Sequence, residues 1–569
     1  MSDTAVKTPS SQAKGEQPGG FLATLERVGN MLPNPFWLFV VLAGVIVVSS
    51  WIGSAMGMQA TDPATGDIIA VENLATAEYL QQMISEAVTN FTSFAPVGLI
   101  LVCMLGVAVA EYSGLIGAAI RAALAKVKSP ILLTFIVALA GVTGSIASDA
   151  VYVILIPLGA ASFAAVGRNP IVGAMVAFAA SSAGFNSSLL LNITDVLLAG
   201  ISTQAAHFVD PEYVVSPLAN YFFTMASAVV LALIITAVTE LFITKHTART
   251  IDPDEINYAA ATFTKPGSEA DAAAAEADAK AKADAKAEAA STQNSDATAK
   301  SQGSKGGQGT KNPEAMELSA LEWSGLRYAG IATAVFLAAW FSALFIPGSP
   351  LRGEGDGILN SVLLTNVVVS IALFFAVIGI AYGLGARTIT SSADIPAFME
   401  RGLGTLTSML VLFFAVAQFT AYFRWSNLGQ WTAIKGAEFL TRADLPPLLL
   451  FAAFVAMVAV LNLLITSGSA QWALMAPVVV PMLMYVDVSP EVAQQLFRIG
   501  DSPTNIITPM SPYFALALTF LQKYYKPAGV GTLMSLAIPY SVCMLVGWFL
   551  FFVIWYLIGI PLGPGVPVR

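Results

Sequence analysis

The sequence predicts an all-α polytopic membrane protein, and composition and segment length carry that prediction. Of its 569 residues, 56% are hydrophobic and 11% are charged, and the mean hydropathy is +0.72. This apolar content exceeds what the core of a water-soluble protein requires. About nine to eleven apolar stretches approach the length needed to cross roughly 30 Å of hydrocarbon as helices. The clearest are residues 36–52, 217–243, 361–381 and 533–557.

The distribution of basic residues predicts the orientation of these spans. Three basic residues precede the first span, whereas residues 52–110 contain no Lys or Arg. Because Lys and Arg concentrate in cytoplasmic connections, the N-terminus is predicted to be cytoplasmic. Basic residues return at Arg121, and again at Lys245 and Arg249 after the 217–243 span. These connections are predicted to be cytoplasmic, and the connection around residues 207–212 is predicted to face outward.

The chain divides into four segments. We predict a cytoplasmic tail (1–30), a first membrane half (31–245), a cytoplasmic linker (246–320) and a second membrane half (321–569). The linker is a low-complexity tract, rich in Ala, Lys and acidic residues and then in Gly and Ser. It has no apolar pattern that could bury one face.

A repeat relates the two membrane halves. Two proline pairs have the same spacing, Pro157 with Pro170 and Pro477 with Pro490, and at the same offset Ser181 aligns with Asp501. Each copy has two short apolar arms joined at a Pro-containing corner, followed by a polar break. This pattern predicts a helical hairpin that dips into the membrane and then a broken helix. Two such units in opposite orientation are typical of secondary transporters, whose sites lie where the interrupted helices meet.

Four polar breaks interrupt the apolar stretches. They are TGSIASDAVY (143–152), SSAGFNSSLLLNITD (181–195), LNLLITSGSAQW (461–472) and IGDSPTNIITP (499–509). Irregular backbone at membrane depth is tolerated only where protein or a water-filled cavity satisfies its polar groups. The breaks therefore predict the position of a functional site.

Three aspartates lie in or beside these breaks, where an ionised carboxylate is costly unless it binds a cation, takes a proton or is hydrogen-bonded. For Asp501 we favour cation or proton coupling; the alternatives are an ion pair with Arg498, three residues earlier, or a helix cap. Asp195 has the same functional interpretation, or it starts the next helix. For Asp149 we favour a structural role, as a cap or hydrogen-bonding residue, and the same functional interpretation is the alternative.

The neighbours of Asp501 supply hard oxygen ligands of the kind that Na⁺ binds. They are Asn462, Thr466, Ser467, Ser469, Thr504 and Asn505. The alternative is a set of interhelical hydrogen bonds between small residues. Trp472 suits stacking on an aromatic substrate, or is simply a packing or interfacial tryptophan.

Other function classes lack their motifs. The sequence has no Walker A motif, Rossmann glycine pattern, HExxH or Cys/His ligand set, so no cofactor and no nucleic-acid partner is predicted. An intramembrane aspartyl protease could pair Asp149 with Asp501, but the expected Tyr-Asp and Gly-x-Gly-Asp motifs are missing. A passive channel is a further alternative, which predicts flux independent of any ion gradient.

Three stretches resemble the p-aminobenzoyl-glutamate transporter (AbgT) family. They are GFNSSLLLNITDVLLAGIST, LITSGSAQWALMAPVVVPMLM and FRIGDSPTNIITPMSPYF. The resemblance implies a homodimer in the bacterial cytoplasmic (inner) membrane, each protomer with nine spans, two re-entrant hairpins and inverted repeats. It implies transport of p-aminobenzoyl-glutamate, an aromatic amide with two carboxylates, and in some members export of sulfonamides.

The resemblance also implies residue roles. The substrate-path positions correspond to Asp195, Ser469, Trp472, Pro490, Asp501 and Pro509. The sodium-site positions correspond to Asn462, Asp501 and Asn505. The sequence leaves the coupling ion, Na⁺ or H⁺, and the direction of transport open.

Overall fold

A computed structural model describes most of the two membrane halves. The described residues are 35–63, 65–124, 127, 129–147, 150–261, 318–352, 358 and 361–569. The predicted tail (1–30), residues 262–317 of the predicted linker, and Asp149 lie outside them.

The described residues are almost entirely helical, which confirms the predicted fold class. In the first half the helices are α1 (Pro35–Ala55), α2 (Ala77–Ser85), α3 (Ala87–Thr92), α4 (Ala95–Tyr112), α5 (Leu115–Leu124), α6 (Pro130–Thr143), α7 (Ala150–Ala165), α8 (Pro170–Ala183), α9 (Ile193–Ala206), α10 (Tyr221–Val238) and α11 (Thr244–Thr250). In the second half they are α12 (Ala320–Phe345), α13 (Val362–Thr365), α14 (Val367–Ala386), α15 (Asp394–Thr405), α16 (Thr407–Trp425), α17 (Leu428–Ala443), α18 (Pro447–Asn462), α19 (Gly468–Met484), α20 (Pro490–Asp501), α21 (Pro512–Tyr524) and α22 (Val530–Ile558).

Short elements join these helices. The 3₁₀ turns are Gly144–Ala147, Pro253–Glu255, Tyr258–Ala261 and Ser502–Ile507, and a π-helical turn, Thr239–Ile243, joins α10 to α11. Two short strands, β1 (Gln59–Thr61) and β2 (Ile68–Ala70), pair antiparallel in the first connection. This hairpin is not predicted from the sequence, because three-residue strands show no clear alternation of apolar residues.

Seven helices among the described residues are long and apolar enough to cross a membrane, which supports the polytopic prediction. They are α1, α4, α10 with α11, α12, α14, α16 and α22. Six further apolar helices of 10–17 residues are shorter, and five of them form the arms and broken helices of the repeat. The expected total of nine spans stays a prediction.

The repeat predicted from the proline spacing is present in the order of elements. In the first half α6 leads through a break into α7, the two arms α7 and α8 meet at a corner, and a second break, α9 and the long helix α10 follow. In the second half α18, α19, α20, α21 and α22 follow in the same order with breaks at the same places. The matching helices also pack alike, since α6 lies against α8 and α18 lies against α20.

The corners of the two copies lie at opposite ends of α10. At its N-terminal end, the Asn220 side chain donates to the backbone oxygen of Glu491, at the second corner. Beyond its C-terminal end, Glu240 pairs with Arg168, at the first corner. These two ends are about 30 Å apart at 1.5 Å per residue. The copies therefore point in opposite directions, as inverted repeats require.

An ion pair holds the first corner to the π-helical turn. Arg168 makes two parallel hydrogen bonds to the carboxylate of Glu240, at 2.8 and 3.0 Å. The guanidinium also donates to Thr134 at 2.8 Å and lies 4.6 Å from the ring centre of Phe163. A bidentate pair of this kind adds directional specificity to charge attraction.

The second corner is held by neutral donors. The Tyr213 hydroxyl donates to the carboxylate of Glu491 at 2.9 Å. Tyr485, just after α19, donates to Asp62 of the β1–β2 hairpin at 3.1 Å. Burial, together with the Asp62 carboxylate, raises the pKa of the Tyr485 hydroxyl. The connections that contact this corner are those that the charge pattern predicts to face outward.

Outside the repeat, small residues allow close helix packing. An added Cβ at Gly106 of α4 would lie 1.9 Å from the backbone oxygen of Ala372 in α14. Gly379 meets the backbone of Ala110 in the same pair of helices. Because lipid gives helices no hydrophobic reason to associate, such close backbone approach supplies much of the contact energy.

We expect Glu240→Ala to lower the apparent Tm of the detergent-purified protein by several degrees. The substitution leaves the Arg168 guanidinium without its carboxylate in a largely buried position, which is more costly than loss of a surface pair. Glu438→Ala is the matched control, because Glu438 pairs with Lys435 and Arg442 at the surface. Equal Tm values for the two variants would contradict a role for the first corner's ion pair.

Candidate functional site

The four polar breaks meet in the interior of the protein. Within the first repeat, the Asn192 side chain donates to Ser145 at 3.0 Å. Within the second, the Asn462 side chain donates to the backbone oxygen of Asp501 at 2.6 Å. Between the repeats, the Asn186 side chain donates to the Asp501 carboxylate at 2.6 Å. Each break thus satisfies polar groups of another break, as membrane depth requires.

Asp501 lies at the centre of this arrangement. It is 1% exposed, its Oδ2 accepts the hydrogen bond from Asn186, and its Oδ1 has no partner among the described residues. Gly468, the first residue of α19, lies so close that an added Cβ would be 3.1 Å from Oδ2 and 3.2 Å from Oδ1. The helix N-terminus beside the carboxylate favours its negative charge.

Asn462 supplies a second unpartnered oxygen. Its Nδ2 lies within hydrogen-bonding distance of three acceptors: the backbone oxygen of Asp501 at 2.6 Å, Thr504 Oγ1 at 2.8 Å and Asn505 Oδ1 at 3.0 Å. Its Oδ1 is buried and has no partner among the described residues. Asn462 Oδ1 and Asp501 Oδ1 are thus two buried oxygens without a partner among the described residues, whereas buried polar atoms are normally satisfied.

A buried ion pair lies one helical turn from Asp501. Arg498 Nη1 is 2.7 Å from Asp195 Oδ1, and both side chains are almost fully buried. Arg498 therefore binds Asp195 and does not form the alternative pair with Asp501. Asp195 also starts α9, as the sequence alternative proposed, because its carboxylate and Asn192 form a capping box. One carboxylate thus serves both a helix start and an ion pair.

Trp472 is fully buried. Its ring packs on Phe497 with centroids 4.6 Å apart. The indole Nε1 donates to Ser202 at 3.0 Å, and Ser202 donates to Gln494 at 2.7 Å. Gln494 donates to Asn220 at 2.7 Å, which in turn donates to the Glu491 backbone. A directional hydrogen-bond chain therefore connects Trp472 to the second corner.

Comparison with protein families decides what kind of protein carries this site. The model described as "AbgT putative transporter family" matches residues 20–275 and 299–569. The chain belongs to the AbgT putative transporter family. Membership confirms the resemblance found in the sequence, and confirms that the chain is a transporter and not an enzyme.

Individual AbgT proteins match over almost their whole length. The p-aminobenzoyl-glutamate transport protein of Escherichia coli (strain K12) is 33% identical, over 98% of this chain and 99% of its own. The crystal structure of the Alcanivorax borkumensis YdaH transporter has a TM-score of 0.79 at 34% identity, covering 94% of this chain and 100% of that one. Neisseria gonorrhoeae MtrF, described as illuminating a class of antimetabolite efflux pumps, has a TM-score of 0.81 at 38% identity, covering 96% and 100%.

The AbgT fold does not gather all the predicted substrate residues into one contact. Ser469 is the second residue of α19, and Asp501 lies beside the N-terminus of that helix. Pro490 is the first residue of α20 and Asp501 is its last, so these two lie about 17 Å apart at 1.5 Å per residue. Pro509 is half-buried at the end of the fourth break. These positions, and the roles assigned to them, stay predictions.

Sequence reasoning missed three polar residues of this AbgT transporter. Asn186, Ser202 and Gln494 all contact predicted site residues or extend their hydrogen bonds. Asn186 lies in a break that was recognised, but its partner is 315 positions away. Ser202 and Gln494 lie inside helices with nothing in the local sequence to distinguish them from ordinary polar residues.

We expect Asp195→Asn to lower the Tm and the yield of folded protein. Asparagine preserves the shape and the helix cap, but it leaves the buried Arg498 charge without a counter-charge. Loss of one partner of a buried pair typically costs about 3–5 kcal/mol. Thermal unfolding by intrinsic fluorescence measures the effect. An unchanged Tm would mean that the site tolerates an unpaired guanidinium.

Proposed function

We propose that this protein is a Na⁺-coupled secondary transporter of p-aminobenzoyl-glutamate and related aromatic anions, sulfonamide antimetabolites included. The substrate class rests on the relatives, since the Escherichia coli protein carries p-aminobenzoyl-glutamate transport in its name and the Neisseria gonorrhoeae structure is described as an antimetabolite efflux pump. The coupling rests on one observation in this chain, the buried and incompletely satisfied carboxylate of Asp501.

The surroundings of Asp501 favour a cation. Two buried acids have an arginine partner, Asp195 with Arg498 and Glu322 with Arg121, and the half-buried Glu240 pairs with Arg168. The buried Glu491 accepts from the Tyr213 hydroxyl. Asp501 has an amide partner instead. A buried carboxylate that lacks a counter-charge is costly, and a bound cation removes that cost.

The second orphaned oxygen favours Na⁺ over H⁺. A carboxylate can take either ion, but the amide oxygen of Asn462 is a metal ligand and does not bind a proton near neutral pH. Asp501 Oδ1 and Asn462 Oδ1 are therefore the first candidate ligands. Asn505 and the carbonyls freed by the 3₁₀ turn Ser502–Ile507 complete an oxygen set of the kind that broken helices offer. One carboxylate among neutral oxygens suits a monovalent ion.

The substrate has chemistry that the neighbouring residues can match. Ser467 and Ser469 lie at the N-terminus of α19, where hydroxyls, free N–H groups and the helix dipole favour a carboxylate. Trp472 lies one turn further along the same helix and offers an aromatic face for the aminobenzoyl ring. In this conformation its face is covered by Phe497, so substrate stacking requires that pair to separate.

The proposed setting is a homodimer in the bacterial cytoplasmic membrane with a cytoplasmic N-terminus. Helix α12 supports the homodimer, because only 11% of its apolar 18-residue stretch is buried within one chain. Exposed apolar residues along this helix include Ile331, Val335 and Phe341. Light scattering of the detergent-purified protein distinguishes a dimer from a lipid-facing monomer.

The decisive experiment is uptake of radiolabelled p-aminobenzoyl-glutamate into proteoliposomes, with Na⁺ and H⁺ gradients imposed separately. We expect flux driven by the Na⁺ gradient, and we expect Asp501→Asn to reduce it at least tenfold, because the amide cannot supply the charge that holds the ion. Asp487→Asn is the matched control, since Asp487 is exposed and its φ of 61° suits asparagine.

Each other outcome has a definite meaning. Gradient-driven flux that persists in Asp501→Asn removes Asp501 from coupling. Flux driven only by the H⁺ gradient means that the coupling ion at this carboxylate is a proton and not Na⁺. Flux that follows substrate concentration under every ionic condition means a passive channel. No flux in well-folded wild type means that the substrate is wrong, and sulfonamides are tested next.

A further inference from the structure

We propose that Asn186 is a positioning residue for the cation site, so that the first repeat completes a site whose ligands belong to the second. This inference rests on the proposed function, because it assigns a role through Asp501. No residue of the first repeat was predicted to belong to the sodium site. The proposal adds one, from the break between α8 and α9.

Asn186 provides the hydrogen bond that orients Asp501. Its Nδ2 lies 2.6 Å from Asp501 Oδ2, and no other hydrogen bond to this carboxylate is found among the described residues. A carboxylate only accepts hydrogen bonds, so the NH₂ end of the amide must face it. The bond holds Oδ2 and leaves Oδ1 turned to the position where a cation can bind.

The backbone of Asn186 is held from both sides. Its N–H donates to Ser502 Oγ at 3.1 Å, and its carbonyl oxygen accepts from Arg498 Nη1 at 3.3 Å. Asn186 itself is 2% exposed. Residues on either side of Asp501 along the chain thus fix the backbone from which the amide reaches the carboxylate. Such preorganisation is what a ligand site needs from its supporting residues.

The neutral charge of Asn186 matters as much as its geometry. Arginine neutralises Asp195, Glu240 and Glu322 and leaves no charge for a cation to bind. An amide stabilises the ionised form of Asp501 by a hydrogen bond and keeps its full negative charge available. A lysine or arginine at position 186 would occupy the same place as the cation.

The contact also links ion binding to the arrangement of the two repeats. Asn186 belongs to the first repeat and Asp501 to the second, and a hydrogen bond weakens steeply once its atoms separate beyond about 3.5 Å. Relative movement of the repeats by about 1 Å therefore removes the orienting bond. The cation therefore binds tightly only to conformations in which the two breaks are in contact. Cation binding in turn shifts the population toward those conformations.

Sodium-dependent thermal stabilisation tests the proposal without any transport step. The apparent Tm of detergent-purified protein is measured against NaCl, with choline chloride keeping the ionic strength constant. We expect Asn186→Ala to raise the half-saturating Na⁺ concentration about tenfold or more, the usual effect of losing a supporting partner. Asn186→Ser keeps a hydroxyl donor and should fall between Asn186→Ala and wild type.

Asn90→Ala is the matched control. Asn90 is less buried than Asn186, but its amide likewise donates to a side chain of a distant helix, Gln418, at 3.0 Å. Its loss should lower the baseline Tm without changing the Na⁺ concentration dependence. In proteoliposomes at saturating Na⁺, the KM for p-aminobenzoyl-glutamate should be the same in Asn186→Ala and wild type, because the residue acts through the ion site.

The two proposals fail in different ways. Suppose that the Tm of Asn186→Ala depends on Na⁺ as the wild-type Tm does, whereas Asp501→Asn is no longer stabilised by Na⁺. That result overturns the role of Asn186 and leaves the cation site intact. Absence of Na⁺ stabilisation in wild type overturns the Na⁺ site itself. If Asn90→Ala also raises the half-saturating Na⁺ concentration, the shift in Asn186→Ala reflects general destabilisation. That result too overturns the role of Asn186. If Asn186→Ala does not fold, Asn186→Ser decides by the same shift.

Discussion

The ion pair between Asp195 and Arg498 is the contact on which the interior of this transporter depends. Asp195 belongs to the first repeat and Arg498 to the second, and each lies at the edge of a polar break. Both side chains are removed from water. Burying two charges is favourable only when the geometry is good and the remaining polar atoms are also satisfied. Asp195 meets that condition by capping α9. Arg498 meets it in part, because its Nη1 also donates to the backbone oxygen of Asn186, whereas its Nε is buried without a partner among the described residues. The pair therefore brings the first and second halves together at the depth where their helices are broken.

The two repeats keep a common architecture but hold their corners by different chemistry. The first corner uses the Arg168–Glu240 ion pair against a π-helical turn, whereas the second uses hydroxyl groups of Tyr213 and Tyr485 on carboxylates. π-Helical turns are uncommon and often occur at functional positions in helices. Inversion brings equivalent corners to opposite membrane faces, so each corner has different neighbours. The asymmetry of the contacts allows one end to be strengthened or weakened independently of the other.

Much of the fold and part of the site could be predicted from the sequence. Hydropathy revealed the long helices, and proline spacing revealed the repeat, because both signals are local. The breaks revealed Asp501 and Asn462, since polar residues inside apolar stretches are conspicuous. The contacts between breaks could not be predicted: Arg498 has an acid three residues away, yet its partner is 303 positions away. The burial of Trp472 could not be predicted either, because the sequence of a helix does not show which polar residue of another helix a tryptophan indole contacts.

Under the role proposed for Trp472, a solute binds the indole only by replacing a contact that the indole already makes. The Trp472 ring already packs against Phe497 at an interplanar angle of 32°, and its Nε1 already has Ser202 as an acceptor. A solute that reaches the ring must replace an aromatic contact, and leaving the indole N–H or the Ser202–Gln494 link unsatisfied costs about 1–3 kcal/mol. The proposed role therefore favours a solute with both a flat ring and a hydrogen-bonding edge, which can offset that loss. Under that role we expect aliphatic dicarboxylates to bind poorly even where they fit, because Phe497 is the better contact for the indole.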